Sequence, residues 1–400
     1  VPREALAVFV AKAVRTFGYG YLAIVFPIHL AALGVSAAGI GLAVSATLFA
    51  SAALTWAVRR PAERFGARAA LLGLATATAV AGLLLLAFRD PWLVVAAAML
   101  GNLSVSAGES GAFLSLEQVV LARSLAPERR TFAFGVYNLL GAGAAALGAA
   151  AVSASQSLEL LFALFVAGAG VQALAYRTLP ATRPPPRAPA SGAGSGPLLR
   201  RLAALFALDS FAGGFALQSL VAYWLHQRFA LSLADLGGVF FAVQVLTAVS
   251  QLLAARLGGR FGLLRTMVVS HLLANALLVG LAFAPTPEVA IALLLGRGLL
   301  SQMDVPTRQA FVMALVEDHE REAAAAVTTF SRTLAQAVSP AATGWVMQAV
   351  ALSAPFAIGG ALKIVYDLTL WASFRRVPLR GDRVEGSAGA GEGKAVERGV

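Results

Sequence analysis

Ala62-Glu63-Arg64-Phe65-Gly66-Ala67-Arg68 follows the second long apolar run of the chain, and its centre returns as Gly259-Arg260-Phe261-Gly262 after the second such run of the C-terminal half. From Arg64 to Arg260 the offset is 196 residues. Gly39-Ile40-Gly41 and Asp235-Leu236-Gly237 share that offset, and Glu128-Arg129 and Glu320-Arg321 are related by 192. A repeat at a fixed offset along the whole chain means two similar halves.

What the halves are made of follows from the runs between these marks. Apolar residues fill 58% of the 400 positions and charged residues only 13%, too little charge to cover a water-facing surface. Residues 69 to 88 carry no charge at all, and a helix of about 20 apolar residues crosses a hydrocarbon core. The pattern predicts helices over 6–32, 37–58, 68–88, 92–115, 131–153 and 158–177, then over 200–226, 235–257, 264–284, 288–312, 323–350 and 354–375. The expected fold is an all-α membrane protein of twelve transmembrane helices in two pseudo-symmetric six-helix bundles. Residues 1–180 form the first bundle and 198–376 the second. Residues 181–197, rich in Pro, Gly, Ser and Ala, read as a flexible linker, and 377–400 as a disordered polar tail.

The net charge of +11 does not point to nucleic acid, because the basic residues sit between apolar runs and form no aromatic-interleaved face. With the N-terminus placed in the cytoplasm, the cytoplasmic loops collect Arg59, Arg60, Arg64, Arg68, Arg123, Arg129, Arg130, Arg256, Arg260, Arg265 and the arginines of the linker and tail, whereas the other side holds Arg89 and Arg228. Both termini are therefore expected to be cytoplasmic, in a multi-pass protein of the cell (inner) membrane. The first apolar run is too long for a signal peptide and reads as a retained helix. There is no Cys, and His29, His226, His271 and His319 have no metal-ligand spacing, so neither metal nor cofactor is expected.

Six helices, a basic linker and six more resemble the major facilitator superfamily over essentially the whole chain. The local likeness is the loop after the second helix: Glu63 stands at the acidic position of the family's pattern, Arg64 at the arginine, Gly66 at the second glycine and Arg68 at a basic position. Arg59 departs from the pattern by replacing its first glycine, and Gly259 replaces the acid of the second copy. The resemblance implies that Glu63, Arg64, Gly66, Arg68, Arg260 and Gly262 form a cytoplasmic gate at helix ends that part when the protein opens inward. Residues 301–309 also resemble little-characterised prokaryotic members. The Gly-Pro antiporter signature of helix five is absent, and Gly135, Gly141, Gly143 and Gly148 read as close-packing positions.

By the same resemblance, helices one, four, seven and ten line a central cavity. Ionisable side chains inside a bilayer are costly and mark function. Arg15, Glu109, Asp209, Arg297 and Asp304 fall on those four helices, and Arg332 on helix eleven. Glu109, Asp209 and Asp304 are the candidates for proton coupling. Arg15, Arg297, Arg332, Asn138, Gln218 and Gln244 are the candidates for the cavity and substrate. Arg15 and Asp209 fall at matched depth and fit either a gate or a neutralising pair. Asp304 fits a bridge to Arg308 or Arg332. Arg297 fits an anionic substrate or a partner for Glu109. Lys363 and Asp367, at i, i+4, fit a mutual ion pair on helix twelve. Tyr223 and Trp224 suit an outer interfacial belt.

The expected function is secondary transport of a small molecule by alternating access, with proton-coupled efflux as the leading reading and proton-coupled uptake of a small organic solute as the alternative. A membrane enzyme would need a nucleophile with its base, or clustered His and carboxylates, and the sequence has neither. A non-transporting sensor or scaffold is the remaining class. The expected partners are a small-molecule substrate, protons and the lipid bilayer, with no nucleic acid, and the expected state is a monomer.

Overall fold

A computed structural model describes residues 2–104, 111–181, 197–304, 307–308, 311 and 321–375. Glu109, nearly all of the linker and the tail of the sequence reading lie outside the described residues.

The apolar runs fold as helices α1 (Arg3–Ala32), α2 (Ala37–Ala57), α3 (Arg59–Phe65), α4 (Ala67–Ala87), α5 (Pro91–Leu100), α6 (Ala112–Ser124), α7 (Pro127–Ala154) and α8 (Leu158–Arg177) in the first half. The second half supplies α9 (Pro197–Gly214), α10 (Gln218–Phe229), α11 (Leu233–Phe261), α12 (Leu263–Ala282), α13 (Pro287–Ser301), α14 (Arg321–Ala349) and α15 (Ala354–Phe374). Their starts are chemically marked. Ser36 and Ser157 accept hydrogen bonds from first-turn N–H groups, Asp90 caps α5 ahead of Pro91, and Ser232 with Asp235 forms a capping box on α11. Among the described residues, eight helical stretches are long and apolar enough to cross a membrane by themselves. The whole makes the twelve passes expected from the sequence, in two six-helix bundles.

Three passes differ from their sequence reading because they are broken. The fourth pass is α5 and α6 rather than one helix. α5 ends at Gly101, and Asn102 takes φ +51°, a left-handed conformation that asparagine tolerates. The backbone carbonyl freed there is not left bare, since the Tyr19 hydroxyl donates to Asn102 O at 2.9 Å. The seventh pass breaks between α9 and α10 at residues 215–217, and the tenth at Gln302 and Met303, with helical residues resuming at Asp304.

The repeated Arg-Phe-Gly segments are corners. Gly66 (φ +88°) joins α3 to α4, and Gly262 (φ +87°) joins α11 to α12. Their ψ values of 161° and 151° put them in a region that only glycine occupies without strain.

The other repeated glycines hold the halves together. A Cβ on Gly41 would lie 2.3 Å from Pro340 O, and one on Gly344 would lie 2.3 Å from Ala37 O, so α2 and α14 cross backbone to backbone. At the matching seam, a Cβ on Gly237 would lie 2.7 Å from Ala149 O, where α11 meets α7. Nearby, Ala38 N–H donates to Gln348 Oε1 (3.1 Å), Ala341 N–H to Ser45 Oγ (2.9 Å), and Ser153 Oγ to Ala234 O (2.6 Å).

All of these contacts lie toward the face opposite the one that carries Pro2 and Arg375. The largest apolar core is shared by both halves there, from Tyr19–Leu30 and Ile40–Val44 to Leu217–Leu225 and Leu236. Toward the termini the cores separate: Ala7, Leu71, Phe113 and Tyr176 belong to one, and Leu202, Phe206, Met267 and Tyr366 to another. Hydrogen bonds between described residues of the two halves are confined to the opposite-face seam. Among the described residues, the halves share a core and hydrogen bonds at one face and neither at the face of the termini.

Candidate functional site

The region where the cores separate is flanked by two buried charge clusters, one in each half. In the first half α1 carries Arg15, which is 1% exposed, and α6 carries Glu117, at 0%. The guanidinium grips the carboxylate with both arms, at 3.0 and 2.5 Å. The hydroxyls of Tyr137 on α7 and Tyr176 on α8 donate to the same carboxylate at 2.7 and 2.6 Å. Arg15 also lies over the Phe113 ring at 4.5 Å. Four helices thus meet on one ion pair, in the two-armed geometry that makes arginine–carboxylate bonds strong.

The second half is built differently. Asp209 on α9 receives Lys363 Nζ from α15 at 2.6 Å and Arg332 from α14 at 3.1 Å. Arg308 lies at 3.6 Å and His271, on α12, at 3.8 Å from the same carboxylate. Arg308 also pairs with Asp304 one turn away. Behind Lys363, His271 Nδ1 meets Asp367 at 2.8 Å, and Asn275 donates to Asp367 at 2.9 Å. Asp209, Asp304, His271, Lys363 and Asp367 are all buried, while the Arg332 side chain keeps 29% of its exposure. Arg332 is the one member of this network that reaches water-accessible space to this extent among the described residues.

These arrangements correct three readings. Arg15 and Asp209 do not neutralise each other, because each finds its partner within its own half. Lys363 does not pair with Asp367 along α15; it spans to Asp209, leaving Asp367 to His271. Tyr223 and Trp224 do not form an outer belt. They are 7% and 0% exposed, and Trp224 donates to Ser353 Oγ while packing edge-on against Phe356. The expected bridge from Asp304 to Arg308 is present.

Sequence reasoning missed Glu117, Tyr137 and Tyr176, and on the other side His271 and Asn275. Glu117 fell beyond the expected end of helix four, because the break at Gly101 carries that pass to Ser124. His271 and Asn275 sit four residues apart in the middle of the mostly apolar α12, a signal available in the sequence.

The remaining candidates lie elsewhere. Gln244 donates to Gln218 at 3.3 Å, and Arg297 forms no ion pair among the described residues. Asn138 is exposed on α7. In the loop motif, Arg64 and Arg260 each lie over the ring of the next residue, Phe65 and Phe261, at 5.1 and 5.3 Å. Glu63 and Arg64 are exposed, and no ion pair links Glu63, Arg64 or Arg68 to a described residue. Among the described residues, then, the motif's side chains meet no ion-pair partner. Outward-facing grooves beside Leu6 and Val171 and beside Pro61 and Leu74 contain none of these ionised clusters. No group of His, Cys, Asp and Glu among the described residues fits a metal ion.

The sequence matches the Major Facilitator Superfamily over residues 8–294 and 202–398. An uncharacterized membrane protein of Saccharomyces cerevisiae is 23% identical over 92% of this chain and 93% of its own length. Among solved structures, a nucleoside transporter superposes with a TM-score of 0.75 at 16% identity, over 93% of this chain and 100% of that one. The xylose transporter from E. coli, in an inward open conformation, superposes with a TM-score of 0.72 at 13% identity, over 94% and 97%.

Proposed function

The chain belongs to the Major Facilitator Superfamily and is a transporter, not an enzyme; on that premise we propose that it exports a small molecule by alternating access, driven by protons. The halves rock about the glycine seam of α2 with α14 and α7 with α11, so the path opens to one face at a time. The excess of arginine in the loops on the side of the termini supports reading the open face as cytoplasmic. An exporter loads its cargo from that side.

The observation that carries the coupling is the junction at Asp209. One buried carboxylate holds Lys363 at 2.6 Å and the half-exposed Arg332 at 3.1 Å. Protonating that carboxylate releases its hold on both cations, and Arg332 sits on α14, the helix that crosses α2 at the seam. A proton at Asp209 therefore frees a charge on the helix that must move. Glu109 ranks with Asp209 as a candidate carrier, and Asp304, which joins the network through Arg308, is the third.

The test is transport in vesicles reconstituted with the purified chain, with and without an imposed pH gradient, in both gradient orientations. Efflux coupling predicts accumulation on the side of higher proton concentration, and uptake coupling predicts movement together with protons. Asp209→Asn should abolish gradient-driven accumulation while substrate exchange continues. Unchanged accumulation in Asp209→Asn, with its native pH dependence, sinks the coupling proposal.

A further inference from the structure

Arg297 is the charge in the second half that the network around Asp209 does not absorb. Its Nε is sealed from solvent and has no hydrogen-bond partner. Asp304, two turns along the same pass, is already engaged with Arg308. A guanidinium at this depth with no carboxylate bonded to it is costly, and proteins keep such a group where something else supplies the negative charge.

Its surroundings are donors. Arg297 lies ten residues below Pro287, where α13 begins, Gln244 eleven below the start of α11, and Gln218 eleven from the end of α10. At about 1.5 Å per residue, all three sit near the middle of a hydrocarbon core of about 30 Å. The α11–α13 crossing brings the backbone next to Gln244 against the backbone next to Arg297: a Cβ on Gly298, the residue after Arg297, would lie 3.3 Å from the carbonyl oxygen of Val243, the residue before Gln244. Gln244 spends its amide on Gln218 Oε1, and that leaves Gln218 Nε2 buried and unpartnered. Ser219 Oγ, in the same turn, is unpartnered as well. This turn opens α10 after the break in the seventh pass, and Leu217 caps it with no side-chain acceptor. Its first N–H groups therefore add donors and the positive end of a helix dipole at mid-depth.

We propose that Arg297, Gln218 and the first turn of α10 form the substrate site, and that it takes the anionic group of an organic acid: a carboxylate, sulfonate or phosphate ester. The inference rests on the transporter reading and names the substrate class of that cavity. A guanidinium with amide and backbone N–H donors matches an oxyanion, which offers acceptors only. A neutral amide or alcohol satisfies the same donors without neutralising the charge. The site therefore discriminates by charge before it discriminates by shape.

The experiment is equilibrium binding to the full purified chain in detergent at fixed ionic strength, read by tryptophan fluorescence and by the thermal midpoint. The probes are benzoate, octanoate, benzenesulfonate and phenyl phosphate, each against an uncharged mate: benzamide, octanamide, benzenesulfonamide and phenol. At least one anion should bind about tenfold or more tightly than its mate. Arg297→Gln should erase that preference, and Arg297→Lys should retain part of it. If Arg297→Gln does not fold, Gln218→Leu carries the test and should weaken the anion more than its mate. The site is refuted if no anion exceeds its mate, or if a folded Arg297→Gln or Gln218→Leu protein keeps the full preference. A wild-type protein with no anion preference that still moves another solute along a proton gradient refutes this site alone. Anion binding without movement in vesicles refutes the transporter reading alone.

Discussion

The two halves place polar groups at corresponding positions and use them in opposite ways. Offsets of 194 and 191 residues relate Arg15 to Asp209 and Glu117 to Arg308 with the sign inverted, and an offset of 195 sets Arg332 where the first half has the Tyr137 hydroxyl. In the first half one carboxylate is closed off by one guanidinium and two tyrosine hydroxyls, and every group in the quartet is buried. In the second, Asp209 is shared among Lys363, Arg332, Arg308 and His271. A saturated pair has one arrangement and acts as a strut. A shared carboxylate has several arrangements close in energy, which is what a moving part requires.

The largest expected effect breaks the strut. Glu117→Gln removes the carboxylate that buried Arg15 grips with both arms, which costs about 3–5 kcal/mol. The thermal midpoint should fall steeply or the protein should fail to accumulate in the membrane. Arg15→Met combined with Glu117→Met removes both charges and should recover most of the loss. A stable Glu117→Gln single variant would show that the first cluster is not structural.

Lys363→Met should cost less, about 1–3 kcal/mol, because Arg332 and Arg308 still serve Asp209. Its main consequence should be in transport, with accumulation lost and exchange retained. The double variant Lys363→Met with Asp209→Asn should be more stable than the sum of its singles, and a double-mutant cycle reads that coupling. Additive behaviour there would mean that the 2.6 Å contact between them contributes little.

Arg332→Gln should leave stability within about 1 kcal/mol, since the group keeps 29% of its exposure. Transport should nevertheless slow by an order of magnitude if α14 carries the signal from Asp209 to the seam. Wild-type rates in this variant would separate the network from the motion. Smallest in stability is Arg64→Ala, expected to change it by about 0.5 kcal/mol or less because the side chain is exposed over Phe65. It should favour the state open at the termini, read as increased labelling of a cysteine introduced at position 334, a convenient probe in a chain without native cysteine.

Much of the fold was legible because hydrocarbon imposes a one-dimensional rule. A span must be apolar and about 20 residues long, and a corner must be glycine where φ is positive, so Gly66 and Gly262 announced themselves by repeating. Gly41 and Gly237 were visible as a repeat too, but their use as crossing points between halves was not. Of the candidate site, Asp209, Asp304, Arg297, Arg332, Gln218 and Gln244 were named from their depth alone. Glu117 was missed because its helix resumes after the break at Gly101, and hydropathy cannot place a break that another helix's tyrosine stabilises.

The sequence by itself determined that this chain crosses a membrane in two related halves, and which ionisable groups sit too deep to be there by chance. Only the tertiary structure decided who meets whom. Arg15 turned to Glu117, Lys363 to Asp209 and Asp367 to His271, while Arg297 was left without a carboxylate. The physical reason is range. Burial of an apolar run is a property of the run, whereas a charge in low dielectric is settled by whichever opposite charge the packing of several helices brings within about 4 Å.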